Sequence, residues 1–188
     1  MVLGAVSLSF TTSFAATWSE SCPDLKACAD VMHETLGQNY AFSPEAVDAK
    51  LHFSNHFEIQ KENAELIFTS ALYDAGLSRV HLTGDAYKIV KLSEARSENL
   101  PIIKASETEA PTLPNNYDLS TLSYSFTNKA AAKYAENAIR SFVNILSRVW
   151  GSQDTGVIFV TDNNKNLARA YQILKTQDVA TVKQAKKQ

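Results

Sequence analysis

The sequence predicts an α+β protein of two small domains, each a mixed sheet of three to five strands packed on two helices. Three observations lead to this prediction. Apolar residues recur at helical spacing in some segments and alternate with polar residues in others, and a polar stretch containing several prolines separates two such groups. The chain has 188 residues, which suits one or two compact domains.

The composition is that of an ordinary globular protein. Hydrophobic residues make up 45% of the chain and charged residues 20%. The formal net charge is -2, so no basic field exists to attract nucleic acid or anionic lipid. We therefore expect no nucleic-acid partner.

Residues 1–16 are uncharged and apolar or small throughout. This run is shorter than the roughly 20 apolar residues that span a bilayer. Ser13-Phe14-Ala15 and Phe14-Ala15-Ala16 both end in the small residues typical of a signal-peptidase site. We expect a signal peptide over residues 1–16; the alternative is a buried N-terminal strand or helix. No basic residue precedes the apolar run, so we expect that the natural start lies upstream or that the sequence is truncated.

The first domain is expected to span residues 17–92. Asp24 can cap its first helix and Gly37 can end it, while Leu51 and Phe53 alternate with polar neighbours as in a half-buried strand. In order, the predicted elements are a helix over 24–36, strands over 38–43 and 50–54, a helix over 61–75, and a hairpin of strands 77–82 and 86–91.

Residues 93–116 contain Pro101, Pro111 and Pro114 among polar residues and predict a linker, with residues 100–103 docked on the first domain. The second domain is expected to span residues 117–178, followed by a polar tail over 179–188. Its predicted elements are a strand over 119–126, a helix over 128–144, a hairpin of strands 145–150 and 156–161, and a closing helix capped by Asp162 or Asn163. The inward face predicted for the first of these helices comprises Ala131, Tyr134, Ala135, Ala138, Ile139 and Phe142.

Cys22 and Cys28 are the two cysteines of the chain. In an oxidising compartment they can pair, because the predicted helix start places them about one turn apart. A structural disulfide and two free thiols are both consistent with this spacing, and no second cysteine pair completes a zinc site.

The chain shows no catalytic motif and no glycine-rich phosphate loop. His52 and His56 lie four residues apart without a third ligand nearby, and His33 and His81 lie where exposure is ordinary. The aspartates at predicted turns are explained by capping and turn formation: they are Asp74, Asp85 and Asp162. We expect no catalytic residue, no cofactor and no metal site.

A family resemblance rests on the order of several short motifs in the first domain. They are Leu36-Gly37-Gln38-Asn39-Tyr40, Phe42-Ser43-Pro44-Glu45-Ala46-Val47, Ala71-Leu72-Tyr73-Asp74-Ala75-Gly76-Leu77, Gly84-Asp85-Ala86-Tyr87-Lys88-Ile89-Val90-Lys91, Glu94-Ala95-Arg96 and Leu100-Pro101. On these, residues from about Ala16 to Pro101 resemble the first periplasmic domain of secretins, the outer-membrane ring channels of type II secretion and type IV pilus machines.

The second domain resembles the KH-like, ring-building domain that follows in secretins. The motifs are Tyr124-Ser125-Phe126-Thr127-Asn128, Val157-Ile158-Phe159-Val160-Thr161-Asp162, Asn166-Leu167-Ala168-Arg169-Ala170 and Ile173-Leu174, ahead of Asp178. The resemblance implies a periplasmic adaptor without the pore-forming domain. It also implies a homo-oligomeric ring, or docking onto one, in a secretion, pilus or flagellar machine.

Two other classes of function compete with this interpretation. A monomeric periplasmic sensor or ligand-binding signalling domain would share the first domain's pattern but would not self-associate. A small hydrolase would need a nucleophile beside its base, and the sequence shows no such arrangement.

Overall fold

The computed structural model describes residues 16–54, 57–143 and 147–185, which form two α+β units and confirm the predicted fold class. The first unit contains α1 (Trp18–Ser21), α2 (Leu25–Leu36), β1 (Asn39–Phe42), α3 (Lys61–Asp74), β2 (Leu77–Thr83), β3 (Ala86–Lys91) and α4 (Leu92–Ala95). Its sheet has the order β1-β3-β2, with β1 parallel and β2 antiparallel to β3.

The boundaries of α2 follow from its end residues, as predicted. The Asp24 side chain accepts a hydrogen bond from Ala27 N at 2.8 Å, which satisfies a free amide of the first turn. Gly37 has a φ of 73°, which is the left-handed conformation in which glycine ends a helix without a side-chain clash.

Trp18 is the centre of the first core. Its side chain is fully buried, and its ring stacks on Phe53 and Phe68 with centroids 5.2 and 6.4 Å away. Trp18 N donates to Phe57 O at 2.9 Å and Ile59 N donates to Ala16 O at 3.0 Å, so the segment before α1 pairs with residues 57–59.

The prediction of a strand over residues 50–54 is wrong. Leu51 is buried and Phe53 is half-buried against the core, which accounts for the alternation, but the described backbone there pairs with no strand. An alternating pattern indicates which side chains face inward, but a β-strand also requires a neighbouring strand with which to pair.

The second unit contains β4 (Ile102–Ser106), β5 (Leu119–Ser125), α5 (Ala131–Arg140), β6 (Arg148–Ser152), β7 (Val157–Asn163) and α6 (Asn164–Ala185). From β5 onward the order strand, helix, strand, strand, helix is the predicted one. The sheet order is β4-β5-β7-β6, with β4 parallel to β5 and the other pairs antiparallel. Strand β6 begins at Arg148 and includes Gly151 and Ser152, which the sequence placed in the turn; residues 144–146 lie outside the described residues.

The segment 93–116, predicted as a linker, contains part of α4 and all of β4. Leu100 packs on the cluster formed by Val80, Val90, Leu92 and Ala95, as the predicted docking requires. Residues 102–106 instead join the second sheet as a parallel edge strand. The polar composition of segment 93–116 does not indicate this strand, because the strand is stabilised by pairing with β5, a separate segment of the chain.

Two predicted inward residues of α5 point outward. Tyr134 is 73% exposed and Phe142, just beyond the helix, is 71% exposed, whereas Ala131, Ala135 and Ile139 are buried. The small alanines let the helix approach the sheet closely, and the larger rings lie off that contact face.

The polar tail predicted over residues 179–188 is helical as far as Ala185, because α6 continues through it. Asp178 is fully buried within α6 and accepts hydrogen bonds from the Tyr124 hydroxyl and Thr127 N at 3.3 and 3.1 Å. Asn163 accepts from Asn166 N at 2.9 Å and is the residue that caps α6. Among the described residues, no helix combines the length and apolar character needed to cross a bilayer.

Candidate functional site at the junction of the two units

A buried arginine lies where the two units meet. Arg79 projects from β2, and its side chain is 1% exposed. Its Nε donates to both carboxylate oxygens of Asp118 at 2.9 Å. Asp118 directly precedes β5, so this ion pair joins the first sheet to the start of the second.

The rest of the guanidinium contacts the other elements of the first unit. Nη1 donates to Gln38 Oε1 at 2.8 Å and to the Tyr40 hydroxyl at 3.2 Å, and Nη2 donates to Glu65 on α3. The guanidinium also lies over the Tyr87 ring, 4.3 Å from its centroid. One side chain therefore holds β1, β3 and α3 against the junction.

Electrostatics keep this arginine charged. Burial by itself lowers the pKa of Arg79, but attraction to Asp118 and their hydrogen bonds outweigh it and raise the pKa above its ordinary value. Burial raises the pKa of Asp118, and Arg79 opposes that change. Burial also raises the pKa of Tyr40 to about 12. The junction thus contains a permanent buried cation that depends on its carboxylate partners.

The residues flanking Asp118 make further contacts with the first unit. Tyr117 N donates to the Thr69 hydroxyl at 3.0 Å, and the Tyr117 ring lies 5.9 Å from that of Tyr73. Leu119 is buried in the apolar cluster with Val80 and Val90 of the first unit. Polar and apolar contacts at consecutive positions give the two units a defined relative orientation.

An asparagine pair closes the second-unit side of the junction. Asn116 Oδ1 accepts from Asp118 N at 3.2 Å, which identifies that atom as the oxygen, and from Asn164 Nδ2 at 2.7 Å. Asn164 Oδ1 therefore faces away from Asn116; it is buried and has no hydrogen-bond partner among the described residues.

A groove of about 860 Å³ runs beside the ion pair. It lies between β2 and β4, which are the edge strands of the two sheets. Its charged lining comes from Glu65, Arg79, Glu98 and Asp118, and its apolar lining includes Val80, Leu82, Leu100 and Ile102.

The opposite edge of the second sheet is closed by side chains of α5. Arg140 donates to Val149 O at 2.6 Å, and Gly151 N donates to Glu136 at 3.1 Å, so two backbone groups of β6 are occupied. A Cβ at Gly151 would lie 3.0 Å from Ala132 O, which explains why glycine suits this close approach. The edge of β6 is therefore blocked against further strand pairing.

Large exposed side chains lie elsewhere on the second unit. Trp150 on β6 is 60% exposed and stacks on Phe159 at 5.5 Å, on the sheet face away from the helices. Tyr134 and Phe142 are exposed at α5. Exposed aromatic residues are enriched in protein interfaces, so these are candidate contact residues.

Cys22 and Cys28 are both buried and are free thiols in the structure. A hydrogen bond with Cys22 is the largest of the effects that raise the pKa of the Cys28 thiol, and burial is the next. The hydrogen bond places the two thiols side by side. A disulfide between them stays a prediction.

The other residues singled out from the sequence form no site. His52 and His33 are exposed, His81 Nε2 lies 2.8 Å from Gly84 O, and His56 lies outside the described residues. Asp74 ends α3 and Asp85 lies in the β2–β3 turn, while Asp162 is hydrogen-bonded to Asn163 N at 2.7 Å. Within the described ranges, no cluster of three or more His, Cys, Asp or Glu could hold a metal ion.

Sequence reasoning missed Arg79, Glu65 and Asp118. The sequence places Arg79 in a hairpin strand between Leu77 and Val80, and an arginine among apolar residues of a strand indicates a buried charge that needs a partner. The partner could not be named from the sequence, because Asp118 lies 39 residues away.

Comparison with solved structures identifies the fold. The chain matches a chain of the Klebsiella pneumoniae type II secretion system outer membrane complex of PulD, PulS and the PulC HR domain, with 20% identity and a TM-score of 0.62. The match covers 89% of this chain and 26% of the Klebsiella chain, so the protein spans about a quarter of that length.

Two further matches overlay less closely. The N-terminal domain of the secretin XcpQ from Pseudomonas aeruginosa is 17% identical, with a TM-score of 0.31, over 82% of this chain and 61% of that one. InvG with SpaPQR and PrgHK in the Salmonella SPI-1 injectisome is 18% identical, with a TM-score of 0.35, over 91% of this chain and 99% of that one.

The structural matches confirm that the chain resembles the N-terminal domains of secretins. No protein-family model matches the chain, and no curated protein is detectably similar to it in sequence.

Proposed function

We propose that the chain is a non-catalytic periplasmic structural or adaptor protein that forms, or docks onto, a ring of a cell-envelope machine. The observation that carries this proposal is the fold match over 89% of the chain to a component of an outer membrane secretion complex. The machine would be a secretin-type secretion system, a type IV pilus or a flagellar motor.

The junction at Arg79 supports a role in symmetric assembly. Head-to-tail contacts close into a ring only when each subunit repeats the same rotation. A two-domain subunit held by a buried ion pair, a hydrogen-bonded asparagine pair and an apolar cluster presents its surfaces at a constant angle. Weak contacts repeated around a ring then act together.

The exposed aromatic residues of the second unit are the contacts we assign to assembly. Phe142 borders a small groove lined by Val143, Arg169 and Ile173, so an apolar side chain of a neighbour could bury against it. Such an interface has the expected character of an aromatic centre with a polar rim.

Location is part of the proposal. Removal of residues 1–16 would expose a chain beginning at Thr17, immediately before Trp18. Residues 1–15 lie outside the described residues, and Trp18 of the first core follows the proposed cleavage position. The mature protein would then fold in the periplasm.

In-cell cross-linking of a C-terminally tagged protein tests this proposal. We expect recovery of self-linked species or of a secretion, pilus or flagellar component. Phe142→Ser should lower that yield about tenfold, as expected for loss of an interface anchor. Val47→Ser is the matched control, because Val47 is exposed on the first unit. Equal loss with both variants, or no link to any envelope component, would contradict the proposal and favour a monomeric sensor.

A further inference from the structure

The groove between β2 and β4 has an open strand edge along one side. Thr121 N donates to Pro101 O at 2.8 Å where the β4–β5 ladder begins. In a parallel pair alternate residues bond to the neighbouring strand, so Ile103 and Ala105 face β5. The N–H and C=O groups of Ile102 and Lys104 consequently face outward.

Nothing in the described backbone occupies that edge at Ile102. β4 is the outermost strand of its sheet, and the turn and loop hydrogen bonds of the described residues do not involve Ile102 or Lys104. The next outward amide, Ser106 N, bonds to Glu109 O at 2.9 Å, which limits the open edge to the end that borders the groove. This edge differs from that of β6, which α5 closes.

The groove is acidic. Its lining includes the carboxylates of Glu65, Glu98 and Asp118 against the single guanidinium of Arg79, and the described lining residues include no lysine. Glu98 is exposed and available to a ligand. Asn164 also lines the groove, and its buried side-chain oxygen accepts no hydrogen bond from the described residues. A ligand rich in hydrogen-bond donors and positive charge complements this lining.

Apolar side chains lie beside these carboxylates. Leu82 is 53% exposed and Ile102 is 65% exposed, and both line the groove together with Leu100. A bound strand directs alternate side chains to opposite sides, so one set can contact these apolar residues while the other reaches the carboxylates.

We propose that this groove binds an extended segment of a partner polypeptide, added as a strand to the open edge of β4, in which apolar residues alternate with lysine or arginine. Backbone hydrogen bonds to Ile102 supply affinity, and the exposed carboxylate of Glu98 selects the basic side chains. Both units line the groove, so binding requires the intact two-domain chain.

A fluorescent, acetylated and amidated peptide of alternating valine and lysine is the probe, and anisotropy with the full chain is the measurement. We expect saturable binding that Ile102→Pro weakens at least about tenfold, because proline removes an outward N–H and leaves the bonds to β5 intact. Ile102→Thr keeps the N–H and should bind within about threefold of the unmodified protein. A peptide with glutamate in place of lysine should not bind.

A second variant covers the case in which Ile102→Pro fails to fold. Glu98→Gln should weaken binding and flatten its salt dependence, whereas Glu34→Gln, on the exposed face of α2, should not. The inference is overturned if no binding occurs below about 1 mM, if the glutamate peptide binds equally, or if Glu98→Gln and Glu34→Gln behave alike. Peptide binding does not require assembly, so its failure leaves the ring proposal standing.

Discussion

At the scale of residues, Arg79 explains why the two units meet as they do. A guanidinium that is 1% exposed is costly to bury unless its donors are satisfied, and here Asp118, Glu65, Gln38 and Tyr40 accept from it. Asp118 is the only acceptor in this set that comes from the second unit. The charge of Arg79 is therefore fully satisfied only when the two units are in contact.

Asp118→Ala should destabilise the protein by about 3 kcal/mol, because it removes the carboxylate that accepts from the buried Nε of Arg79. Denaturant unfolding measures this loss. Asp30→Ala, at an exposed position of α2, should change the free energy of unfolding by less than about 0.5 kcal/mol. Equal effects of the two substitutions would show that the ion pair does not stabilise the junction.

At the scale of elements, the sequence could predict the features that depend on local patterns but not those that depend on pairing between separate segments. The capping residue Asp24, the terminal Gly37 and the turn between β2 and β3 act within a few residues, and the corresponding elements are confirmed. Strand β4 was missed and residues 50–54 were assigned a strand wrongly, because pairing partners decide both cases. Helix α6 was underestimated because buried Asp178 anchors its polar C-terminal half.

The cysteines bear on how α1 is held to α2. In an oxidising compartment, we expect the two thiols to transfer two electrons and two protons to a disulfide oxidoreductase and to form a Cys22–Cys28 bond. The mass of the exported protein would fall by two hydrogen atoms. Reduction should lower the free energy of unfolding by about 2 kcal/mol, as expected for a short closed loop.

Cys22→Ser is the control, because it removes the bond while it leaves Cys28 in place. Its stability should not respond to a reductant. An exported protein that retains both thiols in non-reducing mass analysis would show that the buried pair stays reduced.

At the scale of the molecule, the sequence could predict two α+β units but not the site between them. Each unit's core follows from periodicity, as with Ala131, Ala135 and Ile139 of α5. The junction brings together Gln38, Arg79, Asp118 and Asn164, which lie far apart in sequence. Polar contacts of this kind leave no periodic signal, so the groove could not be located before the fold was known.

Native mass determination of the mature protein at high concentration tests the proposed assembly most directly. The account predicts a closed oligomer of defined stoichiometry, or a stable complex with a cell-envelope component when that component is added. A strict monomer that forms no such complex would contradict the structural role and leave ligand binding at the junction as the function to pursue.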